Sequence, residues 1–333
     1  MKAIVRSVYG PPEVLSLREV PTPVPGEGEV LVRVHAASVN RADLDYLTGV
    51  PFITRMGTGL RRPRNAGLGL DAAGVVEAVG PGVARFKPGD RVFGDLTLFG
   101  YGAFAELACA PERAWAAIPP GISCEVAATV PQSGILALQG LRGGRSIKPS
   151  DHVLVVGASG NVGPFAVQLA KSFGAEVTGV CSTRKMDLVR SLGADHVIDY
   201  TREDYTKGGP RYDWILDVWG RRSFLAPRRA LRPGGRYVMA GGSTGAILEA
   251  LLLGPLLSLG RNRTLGLLLW WKPFDPADVA VLAGLLASGA IAPAIDRRYP
   301  LDGVPDALRD LAAGKPAGKL VISVGGIRAS LGR

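Results

Sequence analysis

Three glycines in VLVVGASGNVGPFAVQLAK (residues 153–171) carry the spacing with the clearest chemical meaning: Gly157, Gly160 and Gly163. A glycine turn there lets the backbone reverse tightly and approach a pyrophosphate closely. It also aims the free N–H groups of a helix N-terminus at the charge. The spacing is one residue longer at its start than G-x-G-x-x-G, so context carries the reading. The apolar run HVLVV (152–156) lies before the turn, and Val162, Phe165, Ala166, Leu169 and Phe173 keep a helical period after it. Pro164 suits a first helical turn and Gly174 a C-terminal cap. Gly157, Ser159, Gly160, Asn161, Val162 and Gly163 are therefore expected to cradle a dinucleotide. The plain alternative is a structural strand–turn–helix connection.

The type of dinucleotide follows from the next strand end. An NAD site places Asp or Glu there for the ribose 2′-hydroxyl. This chain instead reads Cys181-Ser182-Thr183-Arg184-Lys185, with no carboxylate before Asp187. Hydroxyls followed by two cations suit a 2′-phosphate. Ser182, Thr183, Arg184 and Lys185 thus predict NADPH rather than NADH, unless the two cations simply open a solvated helix. Gly241, at the end of RYVMAG (236–241), is counted with the cofactor residues. Absences select further. Three histidines (His35, His152, His196) and three cysteines (Cys109, Cys124, Cys181) lack metal-ligand spacing, so no metal is expected. Ser159 sits in G-A-S-G-N, which is not a hydrolase elbow.

Elements must position these residues. GEVLVRVHAASV (28–39) alternates Val30, Val32 and Val34 against Leu31, Arg33 and His35, predicting a strand with one buried face. Residues 69–94 read as short strands cut by Gly80-Pro81-Gly82 and Lys87-Pro88-Gly89-Asp90 turns. Past residue 125 strands alternate with helices: strands 152–156, 176–181, 196–200, 214–218 and 236–241, with helices after the glycine turn, over 186–192 and near 221–231. That order predicts a parallel sheet wrapped on both faces. A helix is expected over 275–289. A last strand, 320–324, has no βαβ partner and is expected to return to the N-terminal β unit.

The chain has 333 residues, 47% apolar and 20% charged, enough for two domains with real cores. Its net charge of +10 is spread over separate pairs such as Arg61-Arg62 and Arg228-Arg229. They form no visible one-faced cluster with stacking aromatics, so nucleic acid is not an expected partner, whereas an anionic cofactor is favoured. No uncharged stretch reaches the roughly 18 apolar residues of a spanning helix, so no membrane partner is expected. The Leu-rich stretch 248–259 reads as a buried helix or a subunit contact. No secretory leader is visible, and the expected compartment is cytoplasmic.

AASVNRAD (36–43), GLDAAGVVEAVGPGVARFKPGDRVFG (69–94), VPQSGILALQGL (130–141), VVGASGNVGPFAVQLAK (155–171), SLGADHVIDY (191–200) and AGKLVI (317–322) together resemble one family. It is the zinc-independent medium-chain dehydrogenase/reductases, in the quinone oxidoreductase (zeta-crystallin-like) branch. The resemblance spans nearly the whole chain. It implies an α/β fold: a GroES-like β-rich catalytic domain (1–124 and 267–333) plus a Rossmann doubly wound parallel-sheet domain (125–266), with the active site in the cleft. Zinc-dependent relatives carry a cysteine within the stretch matching Ser38-Val39-Asn40 and a G-H-E where Gly69-Leu70-Asp71 stands. Neither is present. By resemblance, Asn40 lies near nicotinamide and substrate, Lys185 and Tyr200 surround the 2′-phosphate, and Lys319 lies beside the cofactor. Leu136 replaces a threonine common in the family, a contact that Gln132 or Ser133 would have to supply. Bland roles stand beside these: Asn40 as the cap of a helix from Arg41, Tyr200 as strand-end packing.

The implied reaction is metal-free hydride transfer from NADPH to a quinone or α,β-unsaturated carbonyl, whose developing charge is delocalised. Asn40 is the first candidate donor to the acceptor oxygen and Tyr46 the second. Phe52 and the rest of the 51–65 loop, Gln132, Trp270 and Trp271 are candidate acceptor walls; the two adjacent tryptophans are expected on opposite faces of a strand, one lining the cleft while the other packs, with core packing of both as the alternative. A homodimer is implied by resemblance. The alternatives are another acceptor (an enoyl thioester or an alcohol/aldehyde pair), or a non-enzymatic NADPH-binding structural or RNA-binding protein.

Overall fold

Runs cut by Gly and Pro turns, valine-rich in β3 and β4, form the first seven strands: β1 (Lys2–Val5), β2 (Ser16–Glu19), β3 (Glu29–Val39), β4 (Asp71–Val79), β5 (Arg91–Asp95), β6 (Leu107–Pro111) and β7 (Trp115–Ala117). The computed structural model describes residues 1–325 except Gly144, Pro210, Phe224, 259–262 and 269–270. Helices α1 (Arg41–Thr48), α2 (Thr54–Thr58) and α3 (Cys124–Ala128) belong to this part, and α4 (Pro131–Gly140) follows. Then come β8 (His152–Val156), β9 (Glu176–Cys181), β10 (His196–Asp199), β11 (Tyr212–Asp217), β12 (Leu231–Met239) and β13 (Thr264–Leu267), with α5 (Gly163–Ser172), α6 (Met186–Ser191) and α7 (Thr244–Ser258) between them. The chain continues through α8 (Pro276–Ala287), β14 (Ile295–Pro300), α9 (Val304–Ala312) and β15 (Lys319–Ser323).

Two units result. One comprises Met1–Gln132, Pro273–Ala287 and the chain from Ile295; the other Ser133–Lys272 and Ser288–Ala294. In the first, the sheet runs β14-β15-β3-β4-β5-β7, with β6 also on β3. β15 pairs antiparallel with β3, Leu320 opposite Val39, so the late strand does complete the N-terminal sheet. Val304, Ala307 and Leu308 of α9 join Val30, Val32 and Val34 in its core. β3 keeps Arg33 and His35 exposed, but from Ala36 onward both faces are buried, because α3 packs over it. Alternation therefore fades where a strand becomes central.

The second unit is a wholly parallel sheet of order β10-β9-β8-β11-β12-β13. Val153 to Val156 are buried on both faces, as a strand covered by helices requires. α4 sits directly on β11: a Cβ at Gly140 would lie 2.6 Å from Leu216 Cδ1, and Trp214 Nε1 donates to the Gly140 carbonyl at 3.1 Å.

Three expectations are corrected. Near 221–231 the described residues form only a 3-10 turn, Pro227–Arg229, because Pro227 cannot donate and Leu231 already enters β12. β12 starts five residues before the expected 236, and a register irregularity between Tyr212 and Trp214 absorbs Pro233-Gly234-Gly235. β13 ends at Leu267, so Trp271 lies beyond the strand expected to carry it. Trp270 lies outside the described residues. In the Leu-rich helix α7, Leu248, Leu251 and Leu252 are exposed, against the buried-helix alternative and compatible with the subunit-contact one. No helix among the described residues is long and apolar enough to cross a membrane.

The β3–β4 pair tolerates no side chain at Gly74, where a Cβ would fall 1.9 Å from the Arg33 carbonyl oxygen. Gly74→Ala is therefore expected to lower unfolding stability by about 3 kcal/mol, read from urea denaturation. An unchanged midpoint would refute this close approach.

Candidate functional site

In the parallel-sheet unit, Gly157 follows β8 in the left-handed region, φ +83°. Its N–H and that of Ala158 both donate to the Val180 carbonyl, at 3.1 and 3.0 Å, tying the turn to β9. Gly163 is glycine for lack of space: a Cβ would lie 2.2 Å from the Gly157 oxygen. Ser159 is buried, while Gly160, Asn161 and Val162 are half-buried. A turn with glycine at 157, 160 and 163 thus leads into the N-terminus of the ten-residue α5, where the first N–H groups lack helical partners. This arrangement fits the pyrophosphate of a dinucleotide.

At the neighbouring strand ends, Ser182 leads into a 3-10 turn, Thr183–Lys185, that opens α6. Arg184 is exposed, Lys185 half-buried, and Tyr200 exposed with its N–H on the Cys181 carbonyl at 3.1 Å. β9 and β10 are paired, so these residues share one edge. Asp199, at the end of β10, accepts from the Thr183 hydroxyl and from Thr201 Oγ1 at 2.7 Å. Those hydroxyls, Thr183 first, hold its carboxyl below the usual range. On the other side of β8, Asp217 Oδ1 accepts from the N–H groups of Trp219 (2.9 Å) and Gly220 (2.8 Å), and Oδ2 from the Tyr237 hydroxyl (3.0 Å). That loop presents a half-exposed Trp219 indole with the Arg221 guanidinium 4.5 Å from its centroid. Gly241 lies backbone to backbone with Gly220, where a Cβ would meet its carbonyl oxygen at 2.1 Å.

The first unit holds a buried polar cluster centred on Asp71. Its Oδ2 accepts from Asn40 Nδ2 at 2.9 Å and Ser38 Oγ at 3.1 Å; Oδ1 accepts the Gln132 N–H at 3.3 Å. Lys319 Nζ donates to Asn40 Oδ1 at 2.6 Å and lies 3.9 Å from Asp71 Oδ2. Asn40 also caps α1, its N–H donating to Asp43 Oδ2 at 2.7 Å. Asn40, Asp71 and Lys319 are each 1% exposed or less. Burial raises Asp71 to about 7, with Lys319 pulling the other way and Asp95, directly opposite on β5, adding to the rise. Burial draws Lys319 down to about 8 against the pull of Asp71 and Asp43. Burial also raises Asp43 and Asp95. Asp43 Oδ1 and Asp95 Oδ2 have no hydrogen-bond partner among the described residues. No group of three metal-ligating side chains is arranged to hold an ion among them.

The structure thus brings Asn40, Gln132 and Lys319 together. Tyr46 belongs to another set, its ring centroid 4.9 Å from that of Tyr101; burial pushes its phenol up, so it stays protonated. Phe52 is exposed, and Trp271 half-buried with its indole N–H unpartnered among the described residues. Leu136 is half-buried on α4.

Residues 26–120 match the alcohol dehydrogenase GroES-like domain, and residues 192–322 a zinc-binding dehydrogenase domain. The chloroplastic quinone oxidoreductase QR1 of Triphysaria versicolor is 30% identical over 315 residues, 91% of this chain and 92% of that one. The quinone oxidoreductase structure from Coxiella burnetii superposes with a TM-score of 0.87 at 29% identity, covering 98% of this chain and 99% of that one. A mycobacterial structure complexed with NADPH gives 0.81 at 29% identity, covering 97% and 100%. The chain belongs to the zinc-independent quinone oxidoreductase family of medium-chain dehydrogenases/reductases. It is an oxidoreductase working with a nicotinamide cofactor. Within this family member, the sequence reading names Asp71 only as a departure from a zinc motif and does not single out Asp199 or Asp217, each an acidic residue inside an apolar run (GLDAAG, HVIDY, WILDV). A buried charge needs partners, and that was the available signal.

Breaking the Asp71–Lys319 pair from either side leaves a buried charge. Asp71→Asn and Lys319→Met should each cost about 3 kcal/mol, and the double variant markedly less than their sum. Additive losses would refute the pairing. The pH dependence has a definite sign. Asp71, raised above its ordinary 3.8, contributes stability that is lost as pH climbs through about 7. Lys319, lowered from 10.5, contributes stability that is lost as pH falls through about 8. Wild-type stability relative to the double variant should therefore pass through a minimum between about pH 7 and about pH 8. A difference that stays flat all the way from pH 3.8 to pH 10.5 would contradict both shifts.

Proposed function

We propose that this quinone oxidoreductase relative reduces a quinone or α,β-unsaturated carbonyl with NADPH and without a metal ion. The observation that carries the cofactor choice is the edge formed by Ser182, Thr183, Arg184, Lys185 and Tyr200. Hydroxyls and cations gather there, while Asp199 is turned into Thr183 and Thr201. A 2′-phosphate suits such an edge through charge-assisted hydrogen bonds. Gly157, Ser159, Gly160, Asn161, Val162 and Gly163 take the pyrophosphate, and Gly241 closes the loop beside Gly220. Trp219, whose Cβ lies 3.5 Å from where a Gly157 side chain would start, offers a flat face to the adenine, with Arg221 behind it.

The bound nicotinamide supplies the hydride. The chain's part is to orient and polarise the acceptor. Asn40 is our candidate for that polarisation, its amide held in one orientation by Lys319 and Asp71. Tyr46 is a second donor, and Phe52, Gln132, Trp270 and Trp271 are candidate walls. The exposed leucines of α7 support a homodimer, and three free cysteines among the described residues suit a reducing cytoplasm.

Absorbance of reduced nicotinamide tests this directly. NADPH should be consumed with 9,10-phenanthrenequinone, and chelator should leave the rate unchanged. Turnover only with thioesters or alcohols, or a rate abolished by chelator, would overturn the reading. Lys185→Ala should weaken NADPH roughly tenfold or more while leaving NADH nearly unchanged. Equal weakening of both removes Lys185 from the phosphate.

A further inference from the structure

Residues 50–64 invert the usual polarity of a surface segment. Thr58 is buried, and the Tyr9 hydroxyl meets Thr58 Oγ1 and donates to the Gly59 carbonyl, both at 2.6 Å. The Arg55 guanidinium lies 4.7 Å from the Tyr9 centroid, and its Nε donates to the Gly49 carbonyl at 3.1 Å. The Arg64 N–H closes the segment on the Thr58 carbonyl at 2.8 Å. The hydrogen-bonding groups therefore face inward and fix the segment to its unit. The apolar side chains face out: Phe52, Ile53, Met56 and Leu60 are 65%, 70%, 66% and 59% exposed. Met56 lies three residues from Ile53 and four from Phe52, spacings that share one side of a helical turn. Arg61, Arg62 and Arg64 follow, all exposed, and no Asp or Glu occurs between Asp45 and Asp71.

Single exposed apolar residues are ordinary. Four within nine residues, followed by unbalanced arginines, form a surface with both lipid-directed components: apolar groups for the acyl boundary and cations for phosphate headgroups. We propose that residues 50–64 dock this protein on an anionic lipid bilayer, lying in the interface without crossing it. Charge complementarity selects lipid over a second copy of the chain. In a two-fold contact the patch would meet itself and bring the arginines together. The expectation of no membrane partner rested on the lack of a spanning helix, and an interfacial segment this short leaves no hydropathy signal of that length. The proposal stands independently of the cofactor and acceptor.

The test is co-sedimentation of the full chain with vesicles of phosphatidylglycerol and phosphatidylcholine, against phosphatidylcholine alone. Wild-type protein is expected to pellet with the anionic vesicles. F52S/M56S/L60S should weaken partition about tenfold or more. R61Q/R62Q/R64Q should abolish the preference for phosphatidylglycerol. K2Q/K87Q/K207Q, which removes three exposed lysines elsewhere, should behave as wild type. Thermal melts check that each variant folds. Met56→Trp gives an independent readout, with added fluorescence quenched by brominated lipid. Wild-type protein that stays in the supernatant, equal losses in the arginine and lysine variants, or an unquenched Trp at position 56 would each overturn the proposal. So would a serine variant that binds vesicles as wild type but loses self-association in sedimentation velocity, which would assign the face to protein contact.

Discussion

A carboxylate taken fully out of water must find donors and a counter-charge, and in this protein Asp71 finds them on three separate stretches of chain. Ser38 and Asn40 come from the end of β3, Gln132 from the first turn of α4, and Lys319 from the first residue of β15. The partners lie 33, 31 and 61 residues away for the first three, and Lys319 is drawn from the far end of the chain. Leaving a buried charge half-satisfied costs more than removing it altogether, so the interaction penalises any arrangement in which one of these stretches fails to arrive. The hydrophobic core of β3, β15 and α9 supplies the drive to collapse. The Asp71 cluster specifies how the strands meet within it.

The parallel-sheet unit solves the opposite problem. There the critical positions lack side chains. Gly157 is needed for its backbone angle, Gly163 because its Cβ would strike the Gly157 carbonyl, and Gly220 because it rests against Gly241. Glycines follow the C-terminal ends of β8, β11 and β12, the side on which parallel sheets present their ligand-binding loops. Aspartates shape the flanking loops: Asp217 gathers the N–H groups of Trp219 and Gly220, and Asp199 gathers the hydroxyls of Thr183 and Thr201.

The legible parts of the fold were those fixed by local pattern. The run from His152 through Phe173 predicts strand, turn and helix because buried parallel strands and amphipathic helices each leave a periodic trace, and β8 and α5 form there. The return of the tail was legible from LVISV, which lacked a local partner and pairs with β3. The helix expected near 221–231 was misread because Arg-rich composition hides how strongly Pro227 and the start of β12 at Leu231 limit the segment. Of the site, residue types were legible but their joining was not. Asn40 and Lys319 were singled out separately, and nothing local relates positions 279 apart. Asp71 was noticed for the family motif it departs from, not for the donors it collects. Periodicity also speaks only of faces that are buried, so the loop at 51–65, which the sequence offers as a candidate acceptor wall, gives no sign there of its apolar outer side.

The charge balance of the Asp71 cluster constrains what chemistry it can assist. Lys319 is its cation, and that charge is already committed to Asn40 and Asp71. Asp43 and Asp95 are driven by burial toward their neutral forms, each with an oxygen lacking a partner among the described residues. Among the described residues the cation of the cluster faces carboxyl groups on neighbouring strands, so the cluster offers no concentrated positive charge comparable to a metal ion. An oxygen that gathers a full negative charge during reduction, as that of a plain ketone does, would receive little stabilisation from such surroundings. A quinone or enone spreads the charge over its own conjugated framework and needs only an oriented dipole. In the proposed function that dipole is the Asn40 amide, held at its oxygen by Lys319 and at its nitrogen by Asp71. The proposed acceptor class is thus the one whose electronic demand matches a buried cluster of hydrogen bonds and one ion pair.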